Sequence, residues 1–269
     1  MTPTPIIVAG PRGRMGSAIL RLAAKDSSFL IVAGLARAET VGSENMLRID
    51  GSDREVPLCG NLVDCSPPES CVLIDFTTPD ASRAYAEQIA HLKMGLICGT
   101  TGLSASDHEA LRKASDSAPV LVATNMSLGV ALLADMARRL AAALPDYDLE
   151  IVEMHHRHKK DAPSGTALTL AEAAAEGRSV SLSDTATYGR QGHTGTRPPG
   201  EMGIHALRGG DIVGDHRLIF AGDGECIEIA HRATSRDTFA AGALRAARFV
   251  SGKPSGIYTM KDVLGLSGA

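Results

Sequence analysis

The sequence predicts an α/β protein in which a doubly wound parallel sheet is followed by a second domain of longer, alternating strands. Three observations lead to this prediction. Up to about residue 145, short apolar runs alternate with segments of helical period, which is typical of a parallel sheet covered by helices. Beyond that residue the strands lengthen and carry charges, as strands of antiparallel sheets do. The chain has 269 residues, 44% of them hydrophobic, which is enough to bury a substantial core.

The first part of the chain contains five buried strands. Each is a run of four to six apolar residues closed by Gly, Thr or Asp, as expected for strands that are covered on both faces. In chain order the runs are PIIVAG, FLIVAGL, CVLIDF, MGLICG and PVLVAT. Helical patterns lie between several of them, over residues 15–25, 80–93 and 104–117. This alternation predicts the doubly wound sheet.

The pattern changes after an Ala- and Leu-rich helix at residues 131–144, which Pro145 ends. The segments LEIVEMHHRH, HALRGGDIVGDHRLIFAG and GECIEIAHRA alternate like strands, and the turn Asp223-Gly224 joins the last two. Such a turn favours an antiparallel pair. Residues 183–203 hold five Gly and two Pro, which is typical of a long loop. We therefore predict that a second domain begins near residue 126.

The charge balance and the cysteines exclude several classes of protein. With 27 Lys and Arg against 31 Asp and Glu, the net charge is -4, so no overall field would attract nucleic acid or an anionic membrane. The five cysteines are scattered and indicate neither a disulfide framework nor a metal motif, which suits a reducing cytoplasm. The N-terminal apolar run is too short for a signal peptide or a membrane span. We expect a soluble cytoplasmic protein that binds any anion locally.

The first chemical motif is the glycine loop VAGPRGRMG. A buried strand runs into Gly10, Gly13 and Gly16 and then into a helix, where backbone N–H groups can meet a pyrophosphate. The spacing is GxxGxxG, and Arg12 stands where the usual dinucleotide fingerprint has its second glycine. A plain strand-to-helix turn would also fit this loop. Arg12 and Arg14 favour a nucleotide, because they add positive charge beside the phosphates.

Two further turns carry hydroxyl groups at the ends of buried strands, DFTTPD at residues 75–80 and CGTTG at residues 98–102. The carboxyl ends of parallel strands meet at one rim, where ligands bind. The second strand ends in GLARAE, so Ala36 stands where NAD-binding sheets usually have a ribose-binding carboxylate, and Arg37 follows as a partner for a phosphate. This favours NADPH over NADH. The alternative is that Arg37 is a solvated surface arginine.

The densest cluster of positive charge is the segment EMHHRHKKDAPSGTA at residues 153–167. As a continuous strand it would place Glu153, His155 and Arg157 on one face. A straight strand would hold His155 and Lys159 roughly 13 Å apart at about 3.3 Å per residue. The two side chains can share a small ligand if the chain bends between them, and we expect that bend.

The bend is expected because DAPSGTALT is a helix start, with Asp161 or Ser164 as its cap. Gly165 and Thr166 would offer N–H groups at the positive end of that helix. The segment therefore predicts a strand end, a basic loop and a helix N-terminus that together bind a carboxylate or a phosphate.

Other interpretations of the basic segment remain open. His156 and His158, with His155 or Asp161, could bind zinc, although two neighbouring lysines would repel a cation. A solvated basic edge that discourages strand pairing is a second alternative. An RNA-binding patch is a third, but no aromatic side chain other than histidine lies between His155 and Thr166 to stack on bases.

The motifs together resemble the 4-hydroxy-tetrahydrodipicolinate reductase family, also called dihydrodipicolinate reductase, of bacterial lysine and diaminopimelate synthesis. The matching segments occur in order along essentially the whole chain: VAGPRGRMG, DFTTP, CGTTG, ATNMSLGV, EMHHRHKKDAPSGTA, YGRQGHTG, RGGDIVGDH and ATSRDTFAAGALRAA. The resemblance implies a Rossmann-like parallel-sheet domain that binds NAD(P)H, at residues 1–125 with 236–269 returning to it. It also implies a second α+β domain built on an open mixed sheet, at residues 126–235, which binds substrate and forms a homotetramer.

The resemblance also implies roles for individual residues. His155 would be the acid/base residue and Lys159 the proton donor, while His156, Gly165 and Thr166 would hold substrate carboxylates, with no metal. The cofactor, NADPH or NADH, would be held by Gly10, Pro11, Arg12, Gly13, Arg14, Met15, Arg37, Gly99, Thr100, Thr101, Ala123, Thr124, Asn125 and Met126. Two positions depart from the family pattern. Ala36 stands where many members have an acidic residue, and Met126 where Phe is frequent.

The implied activity is the NAD(P)H-dependent reduction of 4-hydroxy-2,3,4,5-tetrahydrodipicolinate to tetrahydrodipicolinate with release of water. The substrate is a small cyclic imine with two carboxylates. Hydride addition puts negative charge on its conjugated ring, which protonation must neutralise, and a cationic His155 and Lys159 suit that task. A metal-dependent hydrolase built on the histidines and a non-catalytic NAD(P)-sensing protein are the alternatives.

Overall fold

The structure is a computed structural model that describes residues 2–41 and 45–266. Met1 and residues 267–269, at the ends of the predicted first-domain ranges, lie outside the described residues. The chain divides into two compact units. Unit 1 extends to Ser127 and resumes at Asp237, and unit 2 spans Leu128–Arg236.

The strands, in chain order, are β1 (Thr4–Ala9), β2 (Phe29–Leu35), β3 (Met46–Arg48), β4 (Glu55–Cys59), β5 (Val72–Asp75), β6 (Gly95–Cys98), β7 (Pro119–Val122), β8 (Asp148–His155), β9 (Ala186–Tyr188), β10 (Met202–Arg208), β11 (Gly214–Gly222), β12 (Glu225–Ala233) and β13 (Gly256–Tyr258). The helices are α1 (Arg14–Ala23), α2 (Ala38–Val41), α3 (Pro79–Leu92), α4 (Ala105–Ser115), α5 (Leu128–Ala143), α6 (Gly165–Arg178), α7 (Leu182–Thr185), α8 (Asp237–Val250) and α9 (Met260–Leu264).

Unit 1 is built on an eight-stranded sheet with the order β13-β7-β6-β5-β1-β2-β4-β3. Neighbouring strands are parallel except for the antiparallel pair β3 and β4. The five apolar runs form β1, β2, β5, β6 and β7, which confirms the predicted parallel sheet. Strand order reverses at β1, which lies between β2 and β5. Ligands of open α/β sheets bind outside the carboxyl ends of the strands at such a point.

Apolar side chains on the strands explain why this sheet forms. Ile7, Leu73 and Leu96, on β1, β5 and β6, have no exposed surface. Each such side chain stabilises the fold by about 1.5–3 kcal/mol relative to leaving it in water. Burying these side chains requires helices over the sheet, which leaves the rim of the sheet accessible to a ligand.

Unit 2 is built on a five-stranded mixed sheet with the order β12-β11-β8-β10-β9. The pairs β8–β10 and β10–β9 are parallel, and β8–β11 and β11–β12 are antiparallel. The turn at Asp223-Gly224 joins β11 to β12, as the sequence predicts. Along β8, alternate residues from Leu149 to His155 are buried, and this face packs with α5 and α6 in one core.

Small residues let α5 and α6 approach closely. Ala171 and Ala174 of α6 have no exposed surface, and a Cβ at Gly177 would lie 2.1 Å from the carbonyl oxygen of Arg138 in α5. A larger residue at Gly177 would force the two backbones apart. The Ala-rich composition of both helices thus serves their packing.

β8 ends at His155, and Lys159 N donates to His156 O at 3.1 Å and closes the predicted bend. Two local predictions were wrong. The predicted strand segment 205–222 is divided into β10 and β11, with Gly210 at φ +53° between them. The predicted loop at residues 183–203 includes most of α7 and all of β9. None of the helices in the described residues is long and apolar enough to cross a membrane.

Candidate active site

The glycine loop of unit 1 joins β1 to α1 through a turn that requires glycine at two positions. Gly10 has φ +63°, and a Cβ at Gly16 would lie 2.2 Å from the carbonyl oxygen of Gly10. A side chain at either position would strain or displace the backbone. Gly13 is the N-cap of α1 and makes no side-chain cap hydrogen bond. The first-turn N–H groups of α1 therefore lack a side-chain cap and suit an anion.

A cleft of about 370 Å³ lies within unit 1 at the ends of β5, β6 and β7. Arg14 and Met15 line it from the start of α1, and Phe239 lines it from α8. The remaining lining residues follow the three strands: Phe76, Thr77, Gly99, Thr100, Thr101, Thr124, Asn125 and Met126. Eight of the predicted cofactor residues thus meet in one cleft. Phe76, Thr77 and Phe239 were missed by sequence reasoning, although the hydroxyl-rich turn DFTTPD had pointed to that rim.

The other predicted cofactor residues lie around the glycine loop and the end of β2. Gly10, Pro11 and Gly13 form the loop itself, and Ala123 N donates to Cys98 O at 3.0 Å beyond the end of β7. Arg12 Nη1 donates to Thr40 O at 3.4 Å. Thr40 Oγ1 donates to the carbonyl oxygen of Arg37 at 2.7 Å. Both arginines are exposed and lie beside α2.

A buried carboxyl, Asp75, holds two of the rim turns together. Asp75 Oδ1 accepts from Thr77 N at 3.0 Å and from Thr77 Oγ1 at 2.6 Å. Its Oδ2 accepts from Ser82 Oγ at 2.5 Å and Thr100 Oγ1 at 3.3 Å. Burial raises the pKa of Asp75, and these hydrogen bonds lower it only in part. Since Thr77 and Thr100 line the cleft, Asp75 fixes the shape of its rim.

In unit 2 the predicted acid/base residue, His155, is held by a buried carboxylate two residues before it. Glu153 has no exposed surface and His155 is 9% exposed. His155 Nδ1 lies 2.6 Å from Glu153 Oε2. Arg208 Nη1 and Nη2 donate to the two Glu153 oxygens, each at 2.8 Å. Burial by itself would raise the pKa of Glu153, but the bonds from Arg208, His155 and Ser164 hold it below its ordinary value.

The N-terminus of α6 is attached to the same carboxylate. Ser164 N donates to Glu153 Oε1 at 2.9 Å. Ser164 is the N-cap of α6, and its Oγ accepts from Ala167 N at 3.1 Å, which decides between the two predicted caps. Gly165 and Thr166 begin the helix and are at least partly exposed. They present the positive end of α6 to a ligand.

The basic loop between β8 and α6 bends as predicted. Lys159 Nζ pairs with Asp161 Oδ2 at 2.9 Å and keeps 20% of its side chain exposed. The Lys159 hydrogen bond lowers the pKa of Asp161. The rings of His156 and His158 are 6.3 Å apart between centroids. No group of three or more His, Cys, Asp or Glu side chains placed to hold a metal ion was found among residues 2–41 and 45–266.

A second histidine contacts His155 from β11. The His216 ring lies edge-on to the His155 ring with centroids 5.2 Å apart, and His216 Nε2 lies 3.1 Å from Ser164 Oγ. Burial lowers the pKa of His216 to about 4, with a smaller contribution from the charge of His155. His216 is therefore neutral near pH 7. The sequence alone assigned no role to Glu153, Arg208 or His216. For Glu153 a signal was available, because strand periodicity places it on the same face as His155.

Comparisons with known proteins agree along the whole chain. The family models "Dihydrodipicolinate reductase, N-terminus" and "Dihydrodipicolinate reductase, C-terminus" match residues 4–126 and 129–264. The chain belongs to the dihydrodipicolinate reductase family. A curated 4-hydroxy-tetrahydrodipicolinate reductase from Rubrobacter xylanophilus is 46% identical over 97% of this chain and 98% of its own length. One from Nitrosospira multiformis is 44% identical over 99% of both chains.

A solved structure of a family member gives the same fold. The dipicolinate-bound dihydrodipicolinate reductase from Paenisporosarcina sp. TG-14 is 25% identical, with a TM-score of 0.76 over 96% of this chain and 98% of the other. A gentamicin A biosynthesis protein in complex with NAD matches with a TM-score of 0.57 at 13% identity over 99% and 91% of the chains, which shows a shared fold. The predicted family, the Rossmann-like fold class and the oxidoreductase activity are thereby confirmed.

Proposed function

We propose that this member of the dihydrodipicolinate reductase family reduces 4-hydroxy-tetrahydrodipicolinate with NADPH in preference to NADH, using unit 1 for the cofactor and unit 2 for the substrate. The observation that carries the proposal is the arrangement in unit 2. A buried, hydrogen-bonded His155 stands at a strand end, and a basic loop with Lys159 leads directly to the N-terminus of α6. This is a site for a small anion that must also receive a proton.

The residues of unit 1 fit a dinucleotide. The open end of α1 and the glycines at positions 10 and 16 allow a pyrophosphate to approach the backbone closely. The cleft at the ends of β5, β6 and β7 would take the nicotinamide ring, lined by Gly99–Thr101 and Thr124–Met126. Arg12 and Arg37 beside α2 would take the adenosine end. Bound there, the cofactor supplies the hydride.

The substrate carboxylates would be held by unit 2. Gly165 and Thr166 offer the positive end of α6 to one carboxylate, and His156 with Lys159 adds positive charge around the ring. The family member from Paenisporosarcina sp. TG-14 was solved with dipicolinate, a planar dicarboxylate. Two anchors fix the orientation of such a ring, which hydride transfer requires.

His155 and Lys159 would supply protons to the reduced ring. His155 is held by Glu153, so its ring has a fixed orientation, whereas Lys159 is paired with an exposed Asp161 that a substrate carboxylate could replace. A cationic side chain near the ring also offsets the desolvation of a dianion.

His155→Ala and Lys159→Ala should each lower turnover by about a hundredfold or more, the scale of losing a positioned acid or base. The dissociation constant of NADPH should hardly change, because unit 1 carries the cofactor site. Nicotinamide oxidation followed by absorbance, with cofactor binding by calorimetry, measures both. Wild-type turnover in either variant would remove that residue from the mechanism.

Arg37→Ala should weaken the binding of NADPH by about 1–3 kcal/mol, because a charge-assisted hydrogen bond to the 2'-phosphate is lost. The binding of NADH should not change. Ala36 offers no carboxylate to the ribose of NADH, so the wild type should prefer NADPH. Dissociation constants of the two cofactors, measured on wild type and variant, give the comparison. Equal weakening of both would place Arg37 on a part of the cofactor that the two share.

Pyridine-2,6-dicarboxylate should inhibit competitively against substrate, and pyridine-2-carboxylate much more weakly, because the second leaves one anchor empty. Thr166→Val should weaken the dicarboxylate but barely change the monocarboxylate if the latter occupies the basic loop. Inhibition constants for both acids in wild type and variant decide the arrangement. Similar affinity of the wild type for the two acids would contradict the two-anchor site.

The assembly would be a homotetramer formed through unit 2. Opposite the face that packs on α5 and α6, β8 and β11 carry the partly exposed side chains Val152, Met154 and Ile219, and a cavity of about 400 Å³ lies among them. A sheet face of this kind is commonly covered by another copy.

The location of the protein would be the cytoplasm. Its four buried thiols, at Cys59, Cys65, Cys71 and Cys98, suit that reducing compartment.

Sedimentation velocity should give a species of about four times the 28.0 kDa chain mass. Met154→Glu should shift that species toward smaller assemblies, because it places a charge in the covered face. A matched change outside this face, Leu30→Glu on exposed β2 surface, should leave the assembly intact. A wild-type protein that sediments as a monomer at micromolar concentration would refute the tetramer.

A further inference from the structure

The carboxylate of Glu153 is buried beyond the reach of a ligand, yet it touches both functional parts of unit 2. Its Oε2 lies 2.6 Å from His155 Nδ1, and its Oε1 accepts from the N–H of Ser164, the N-cap of α6. Arg208 donates to both oxygens. Each oxygen therefore has two hydrogen-bond partners, which come from β8, β10 and the start of α6.

The hydrogen in the bond between His155 and Glu153 belongs to the imidazole. A bidentate guanidinium and a backbone N–H donate to Glu153, at 2.8 Å from Arg208 and 2.9 Å from Ser164, and such donors stabilise the ionised carboxyl. Together with His155 they hold its pKa below the ordinary value despite burial. An ionised carboxylate accepts and cannot donate. His155 therefore carries hydrogen on Nδ1, and Nε2 is the nitrogen that exchanges a proton.

We propose that Glu153 is a positioning residue for the reduction, fixing the Nδ1–H form of His155 through one oxygen and the N-terminus of α6 through the other. The inference deepens the proposed function and rests on it, because it takes His155 as the acid and α6 as the carboxylate anchor. One rigid group then sets the separation between the proton donor and the bound carboxylate. Precise separation matters because a misplacement of about 1 Å can lower the rate by about a hundredfold.

The fixed form of His155 suits proton donation. The cationic ring carries hydrogen on both nitrogens, and donation breaks the Nε2–H bond as a bond from that hydrogen to the substrate ring forms. The product is the neutral Nδ1–H ring, whose hydrogen bond to Glu153 is already in place. No internal proton has to move, and solvent returns a proton to Nε2 for the next turnover.

The surroundings of Nε2 leave room for that exchange. A Cβ at Gly214 of β11 would lie 3.0 Å from His155 Nε2, so glycine there keeps the space open. His216 packs on the same ring but is neutral near pH 7, and it therefore does not repel a cationic His155. Among the described residues, none hydrogen-bonds to Nε2.

The tautomer can be measured in the wild-type protein without a substitution. The chain has nine histidines, and ¹⁵N-histidine spectra with and without His155→Ala assign the His155 nitrogens. In the neutral ring the hydrogen should reside on Nδ1. A neutral His155 that carries its hydrogen on Nε2 would overturn the proposal.

Glu153→Gln keeps the size of the side chain but cannot satisfy the network. Whichever way the amide turns, its NH₂ group faces two donors, because each carboxylate oxygen accepts from two. We expect kcat to fall about tenfold to a hundredfold, a part of what a positioned acid supplies. The dissociation constant of pyridine-2,6-dicarboxylate should rise about tenfold as α6 loses its tie, while that of NADPH stays unchanged.

The same substitution in the His155→Ala protein separates the effect of the Glu153–His155 contact from that of the contact between Glu153 and α6. If Glu153 acts on turnover through His155, Glu153→Gln should lower kcat little further in that background, since groups that act as a unit are not additive. The loss of dicarboxylate affinity should persist, because it passes through α6. If the kcat losses of the two single variants multiply in the double variant, Glu153 does not act on turnover through His155. If the dicarboxylate affinity is unchanged, Glu153 does not act on binding through α6.

Asp135→Asn is the matched control for general destabilisation. Asp135 is a carboxylate of α5, 3% exposed, that accepts from Arg138 at 3.1 Å and Arg139 at 2.7 Å. It should leave kcat and dicarboxylate affinity near wild type; equal losses in both variants would assign the Glu153 effect to stability. Wild-type turnover in His155→Ala would refute the acid role of His155, while the tautomer and the dicarboxylate affinity would still decide the role of Glu153.

Discussion

An ionised carboxylate buried at the end of β8 constrains the whole of unit 2. Taking the Glu153 charge out of water is costly unless every lone pair is satisfied, and the fold satisfies them from three directions. Arg208 can reach Glu153 because β10 runs parallel to β8 with Arg208 in register with His155. Ser164 can reach it because the chain turns after His155 and starts α6 nearby. The strand pairing, the turn and the helix cap therefore all help to satisfy the charge of Glu153. Removing Arg208 would leave that buried charge without its cationic partner.

The buried carboxyl of unit 1 has a different character, because its partners differ. Asp75 is surrounded by hydroxyl groups and one backbone N–H, which carry no charge, so burial dominates and its pKa rises. Glu153 has a bidentate guanidinium and an imidazole, so its pKa falls. Asp75 holds together neighbouring turns at the rim of the unit 1 cleft, whereas Glu153 must stay charged to keep hydrogen on the imidazole that faces it.

The sequence predicted the elements that have a local pattern. It could not predict which residues come together through contacts between distant parts of the chain. The five buried runs and the glycine loop are continuous in sequence, and they form the expected strands and turn. The alternation of β8 continues in the sequence through His158, so the bend after His155 was predictable only from the helix start that follows it; in the structure a backbone bond from Lys159 closes the turn. Arg208 lies 55 residues from Glu153, and no spacing rule joins them. The cleft residue Phe239 lies on α8, a helix of unit 1 that follows unit 2 in the chain.

The two helix N-termini at the candidate sites differ in how their first turns are capped. At α1 the N-cap is Gly13, which makes no side-chain cap bond, so the first turn stays open to a large group such as a pyrophosphate. At α6 the Ser164 hydroxyl accepts from Ala167 N and the Ser164 N–H is taken by Glu153. Gly165 and Thr166 follow as the first two residues of the helix. Capping therefore leaves fewer N–H groups at the start of α6 than at the start of α1, and the carboxylate that takes the Ser164 N–H is the same one that contacts His155.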